Sequence, residues 1–248
     1  MTIVRPHEHT LWRIELLRVW RTRRLIGLLF TYCFFGFADP ILARYMAEII
    51  GSAANTDQMQ ITVADPIPAD GMVGYLGSAM QIGLMVGLAM LVSACAIFSR
   101  TRRKDIWTLL VPRLTVSLAA ITIAFTLAMA AWYETTVLIG VPSPSGMMRL
   151  WIVGFCYQLA FGALAFLLTG IVRSVGTTTA IAIVAVLLSS ILTTWPAIAR
   201  WSPVGLTDYP GIYRGTAEML PAIAASLIVA VVATVAGLIV VQRRDLAR

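Results

Sequence analysis

The stretch Leu150-Trp-Ile-Val-Gly-Phe-Cys-Tyr-Gln-Leu-Ala-Phe-Gly-Ala-Leu-Ala-Phe-Leu-Leu-Thr-Gly-Ile-Val172 contains no charged side chain. A helix rises ~1.5 Å per residue and bilayer hydrocarbon is ~30 Å thick, so about 20 apolar residues in a row reach across it. The run is continuous and lacks the ~10-residue alternation of a membrane strand, so it is predicted to be a transmembrane helix. Five further runs share this character. The expected spans are Leu25–Tyr45, Met72–Phe98, Leu114–Tyr133, Leu150–Val172, Thr177–Ala199 and Met219–Val241.

The rest of the composition agrees. Of 248 residues, 59% are hydrophobic and 12% charged, with a mean hydropathy of +0.84. Soluble proteins carry ~25% charged residues, and a chain with half of that cannot clothe a core in polar surface. The fold class expected is therefore an all-α polytopic membrane protein. Residues 1–24 form an N-terminal segment ahead of a six-span domain over residues 25–248. The first run is long and no small-x-small cleavage site follows it, so it reads as a retained span rather than a signal peptide.

The basic balance, 19 Lys and Arg against 12 Asp and Glu, speaks of topology rather than nucleic acid. Basic loops stay on the cytoplasmic side of a membrane. Fifteen of the cations fall in the N-terminus (Arg5, Arg13, Arg18, Arg21, Arg23, Arg24), the second loop (Arg100, Arg102, Arg103, Lys104, Arg113), the fourth (Arg173) and the tail (Arg243, Arg244, Arg248). Only Arg44, Arg149, Arg200 and Arg214 fall on the other side, among Glu48, Asp57, Asp65, Asp70, Glu134, Asp208 and Glu218. Both termini are expected in the cytoplasm and the protein in the cell membrane.

Several loops have a definite character. Gly51–Gly71 holds three aspartates and no cation, as a solvated loop does, and Pro142-Ser-Pro144-Ser-Gly146 reads as a tight connector. Trp195-Pro-Ala-Ile-Ala-Arg-Trp201-Ser-Pro203 is too apolar for an ordinary loop and is expected to be interfacial or re-entrant. Before the first span, Trp12, Leu16, Val19 and Trp20 recur at helical spacing with most arginines off that stripe. That pattern predicts an amphipathic helix along the membrane surface, with a plain extension of the first span as the other reading.

Many chemistries lack their reagents. No Gly-rich loop ends in Lys-Ser/Thr: the single lysine, Lys104, is followed by Asp105. No HExxH, GxSxG or aspartate-rich CDP-alcohol motif is present. The chain is not expected to be an enzyme, and no catalytic, cofactor or metal residue is assigned. Cys33, Cys95 and Cys156 lie in separate apolar runs and read as packing residues, while His7 and His9 precede the first span and leave no intramembrane pair for haem. Most of the eleven methionines lie inside spans; Met147-Met148 is the only adjacent pair near an outer end, which argues little for metal export.

Three features remain as candidates. Asp39 beside Pro40 lies within the first apolar run, where a carboxylate costs ~2.5–3.5 kcal/mol at mid-membrane and needs a partner, water or a proton. Arg44 is the expected partner, and with Glu134 these form candidate pathway or outer-vestibule charges; the alternative is that Asp39 is already interfacial. Gly83 and Gly87 make a GxxxG pair for a subunit contact or for packing within the chain. The stretch Arg100-Thr-Arg102-Arg103-Lys104-Asp105-Ile-Trp107 joins a basic cluster to apolar residues. A short helix docking on a cytoplasmic partner needs both, whereas a retention signal needs only the charges.

Pro40-Ile-Leu-Ala-Arg-Tyr45-Met-Ala-Glu48, the stretch Tyr75–Leu110, Trp201-Ser-Pro203 and Arg243-Arg244-Asp245, in that order on a six-span frame, resemble the permease subunits of ABC-2 type transporters, the type V exporter architecture. The resemblance implies an entry helix at about 8–23, a coupling helix at about 100–110 and short outer re-entrant helices at about 195–213. It also implies a second permease chain, two ABC ATPase subunits carrying ATP and magnesium, and export of a lipid-like, amphipathic or drug-like molecule. In the coupling loop, Arg102-Arg103-Lys104-Asp105-Ile106 stands where relatives often have a Glu and a Gly. The partner permease is therefore either identical or a homologue that keeps the usual loop. A secondary transporter or channel, and a non-transporting anchor or sensor subunit, are the competing classes.

Overall fold

The computed structural model describes residues 8–53, 68–95, 106–172, 174–192 and 194–246. All regular structure among them is helical. The order is α1 (Glu8–Arg21), α2 (Arg24–Ala53), α3 (Pro68–Ser78), a π-helical turn (Ala79–Gly83), α4 (Leu84–Cys95), α5 (Ile106–Ile139), α6 (Pro144–Ile171) and α7 (Val175–Leu192). Then come α8 (Pro196–Arg200), a 3₁₀ turn (Pro203–Thr207), α9 (Tyr209–Arg214) and α10 (Leu220–Leu246).

Five helical runs are long and apolar enough to cross a membrane: Arg24–Met46, Met72–Cys95, Leu110–Ile139, Pro144–Ile171 and Leu220–Arg243. By that measure the chain is a multi-pass helical membrane protein, and these runs lie within several residues of five of the expected spans. The remaining one, fifth in chain order and expected over Thr177–Ala199, ends early. Its helix is the 18-residue α7, ending at Leu192. The physical reason lies at Pro196, which disfavours helical geometry in the residue before it; Trp195 is extended at φ −105°, ψ 96° and a new short helix starts at the proline.

Local chemistry sets the other boundaries. Ser143 caps α6, its hydroxyl accepting from Gly146 N–H at 3.3 Å, with Pro144 in the first turn where no donor is needed. Between α1 and α2, Arg23 sits at φ 56° in the left-handed region, which costs a residue with a side chain ~1–2 kcal/mol. Thr22 N–H to Arg18 C=O at 3.0 Å and Arg23 N–H to Trp20 C=O at 3.4 Å hold that turn.

Close packing joins the helices. Fully buried Tyr32, Tyr75, Phe125, Trp132, Tyr157 and Phe166 are among the largest core side chains. Gly36 lets α2 lie on α5, since an added Cβ would stand 2.6 Å from the Ala128 carbonyl oxygen. Gly83 faces the Tyr32 ring and Gly87 faces Ile121, so the GxxxG pair is taken up by packing within the chain. At the other side of the bundle α6 and α10 run parallel, with Gly170 against Val240 and Gly237 against Phe166.

Gly36→Val is expected to cost about 1–3 kcal/mol, because the obstacle is backbone and cannot swing aside. Gly27, with open space around it, tolerates the same change within about 0.5 kcal/mol. Thermal unfolding of the two purified variants compares them directly, and equal melting temperatures would contradict this approach of α2 and α5.

Candidate functional site

Two polar assemblies occupy the interior, and a third surrounds the short helices at the opposite end from α1. The first fastens α1 to the bundle. Leu11, Glu15, Arg18 and Val19 recur at helical spacing, and Glu15 is buried. Arg113, two turns into α5, donates through Nε to Glu15 Oε1 at 2.5 Å, and its Nη1 lies 3.5 Å from the Ala94 carbonyl oxygen at the end of α4. Arg18 approaches the same carboxylate at 3.6 Å. Nearby, Arg24 Nη1 donates to Ser93 Oγ at 2.8 Å. With side chains only 9% and 13% exposed, Glu15 and Arg113 form a joint in low dielectric, where losing one partner strands the other.

This placement redistributes the expected entry-helix stripe. A helix does cover residues 8–21, but Val19 turns toward the bundle beside Glu15 while Trp12, Leu16 and Trp20 are exposed, together with Ile14 and Leu17. Glu15 escaped the sequence reading because a lone acidic residue among arginines looks like surface charge. Its partner is 98 positions away.

The second assembly lies between α2, α3 and α5. Tyr32 and Asp39 are seven residues apart on one side of α2, Tyr75 and Ser78 three apart on α3, and Phe125, Trp132 and Thr136 follow helical spacing on α5. The Tyr32 ring meets Phe125 edge-on with centroids 6.1 Å apart, and Tyr75 lies nearly parallel to the same ring at 6.4 Å. Asp39 is half-buried and hydrogen-bonded to the Ser78 side chain. Tyr32 Oη, Tyr75 Oη, Trp132 Nε1, Thr136 Oγ1 and Asp39 Oδ2 are buried with no hydrogen-bond partner in the chain, as are both amide atoms of Gln158 on α6. Buried polar atoms of this kind are costly unless another polar group or an ordered water meets them. Tyr157, by contrast, is satisfied by Ser189 Oγ of α7 at 2.5 Å.

The expected Asp39–Arg44 partnership is replaced by the Ser78 contact. Five residues turn a helix through about 500°, so Arg44 points well away from Asp39. Arg44 and Glu134 are exposed, and the ion pairs among the described residues are Arg18–Glu15, Arg113–Glu15 and Arg200–Glu218. Of the coupling residues, Arg100, Arg102, Arg103, Lys104 and Asp105 lie outside the described residues, and Trp107 is the second residue of α5.

The third assembly is a cap built from α8, the 3₁₀ turn and α9. Val204, Leu206 and Ile212 are its buried residues. Tyr213 Oη accepts from Ser143 N–H at 2.8 Å and the Tyr213 carbonyl lies 3.4 Å from Arg149 Nη1, which anchors the cap on the start of α6. Gly215, at φ 79°, closes α9 in the left-handed conformation against the Arg149 guanidinium. Burial pushes the Tyr209 phenol above its ordinary value, so this hydroxyl stays neutral. Arg200 Nη2 and Glu218 Oε2 pair at 2.8 Å across the open face of the cap.

Glu15→Ala and Arg113→Met are each expected to cost about 3 kcal/mol and to raise amide exchange through 8–21, whereas the double variant costs clearly less than the sum. Strictly additive losses would show that the two side chains do not meet.

Compared with known proteins, the chain matches no family model and no curated protein.

Proposed function

We propose that this chain is the membrane-spanning permease subunit of an ABC-2 type exporter, working with a second permease chain and separate ABC ATPase subunits. The observation that carries the reading is the Glu15–Arg113 joint. It fastens the helix before the first span to the start of α5, immediately beyond the basic segment Arg100–Asp105. A push delivered to that segment from below would be passed to α1, α4 and α5 together rather than lost in a loop.

In this reading α7 is the fifth of six spans. At ~1.5 Å per residue its 18 residues reach ~27 Å, a small mismatch that the bilayer meets by local thinning. Both termini then lie in the cytoplasm, the exposed Trp12, Leu16 and Trp20 rest on lipid at the inner surface, and the cap of α8 and α9 stands outside. ATP closes the ATPase subunits and drives the helices only to the extent that it binds one arrangement better than the other. The cargo is lipid-like, amphipathic or drug-like, and leaves past the polar seam around Asp39.

That seam also favours a second reading, an ATPase-independent transporter using Asp39 and its buried hydroxyl neighbours as the pathway. The two readings part in sealed vesicles. The permease reading expects no solute movement by the isolated chain, transport on adding the ATPase and ATP, and loss of ATPase co-purification in Arg102→Glu/Arg103→Glu at unchanged melting temperature. Solute flux without nucleotide or companion protein, abolished by Asp39→Asn, would overturn it in favour of the second.

A further inference from the structure

Between the cap and the start of α10 lies an open cavity of about 700 Å³, within the ~300–1,000 Å³ usual for small-ligand sites. Its floor is apolar, with Val204, Ala217 and Ala222, and its charged lining residues are Arg200, Asp208 and Glu218. We propose that this cavity binds the headgroup of a zwitterionic membrane phospholipid, one carrying a phosphate and a primary ammonium.

The charge pattern selects that chemistry. Arg200 and Glu218 pair with each other at 2.8 Å, but their side chains are 58% and 71% exposed. An ion pair in that much solvent is worth about 0–1 kcal/mol, so separating it costs little. A zwitterion inserted between the partners gives Arg200 a phosphate and Glu218 an ammonium, and replaces one exposed pair with two. A headgroup bearing only an anion leaves both carboxylates without a gain, and one bearing only a cation strips Glu218 from Arg200 and offers the guanidinium nothing. Asp208, whose Oδ1 accepts from Gly211 N–H at 3.3 Å, is a second carboxylate within the same cavity for a donor-bearing ammonium. A quaternary ammonium has no N–H to give either one.

Position points to a lipid rather than a free solute. The cavity lies at one end of a bundle of membrane-length helices, beside Leu220, where the Leu220–Arg243 run begins. Trp195 and Trp201 on the same short segment are exposed, as tryptophans at headgroup depth are. The alanine and valine floor continues toward α10, where the glycerol and first methylenes of a lipid would lie.

Native mass spectrometry of the full-length purified chain, titrated without nucleotide with phosphatidylethanolamine, phosphatidylglycerol and phosphatidylcholine of identical acyl chains, tests this. Phosphatidylethanolamine is expected to bind about tenfold more tightly than either of the others, the equivalent of ~1.4 kcal/mol. Arg200→Gln and Glu218→Gln are each expected to remove most of that preference at unchanged melting temperature, since both side chains are exposed. Equal binding of the three lipids would overturn the proposal, as would a preference that survives both substitutions. Because no ATPase or transport is involved, the outcome is independent of the exporter reading.

Discussion

Helices in lipid gain little by hiding apolar surface from one another, since the surrounding chains are as apolar as the side chains. Close packing has to hold them together instead. Everything else in this bundle follows from where backbones can approach. Gly36 against the Ala128 carbonyl sets the register of α2 on α5, and Gly83 under the Tyr32 ring sets α2 on the π-helical turn. Gly154 faces Phe125, the ring that Tyr32 and Tyr75 also meet. Through that ring α2, α3, α5 and α6 share a single packing centre. The same approach forces the hydroxyls of Tyr32 and Tyr75 into the interior, so the polar seam is a consequence of the packing rather than an addition to it.

The charged pairs are distributed unequally along the bundle. At the α1 end Glu15 and Arg113 are nearly enclosed and a second cation, Arg18, stands by. At the cap end Arg200 and Glu218 face solvent. Enclosed pairs are costly to separate and act as fixed joints, whereas exposed pairs exchange partners readily. The bundle is therefore tied rigidly at its α1 end and carries exchangeable charged contacts at its cap end.

Sequence reading recovered what depends on composition and failed where rotation about a helix axis decides. Long apolar runs point to five membrane-length helices because the bilayer imposes their length, whereas the connector expected over Pro142–Gly146 is shorter than its sequence suggests, since Pro144 already opens α6 with Ser143 as its cap. Asp39 stands out in the sequence as a carboxylate within an apolar run, but that its neighbour is Ser78 on another helix is not legible there, since spacing along the chain does not reveal which side of α2 faces α3. Glu15 was invisible for the same reason. Its role depends on α5 passing beside α1. The end of α7 at Leu192 was written in Pro196 all along, but the apolar residues on both sides of the proline masked it.

The left-handed turn at Arg23 links these observations to motion. It connects α1 to the first span, and a side chain at φ 56° stores strain that a glycine would not. If α1 were fixed by this turn alone, tilting it would simply bend the joint. Because Glu15 is also tied to Arg113, and Arg113 reaches the end of α4 at Ala94, a displaced α1 must carry α4 and α5 with it or break an enclosed ion pair. On the stability scale of a folded domain, about 5–15 kcal/mol in total, a pair worth ~3 kcal/mol to disrupt is a strong reason for the three helices to move as one.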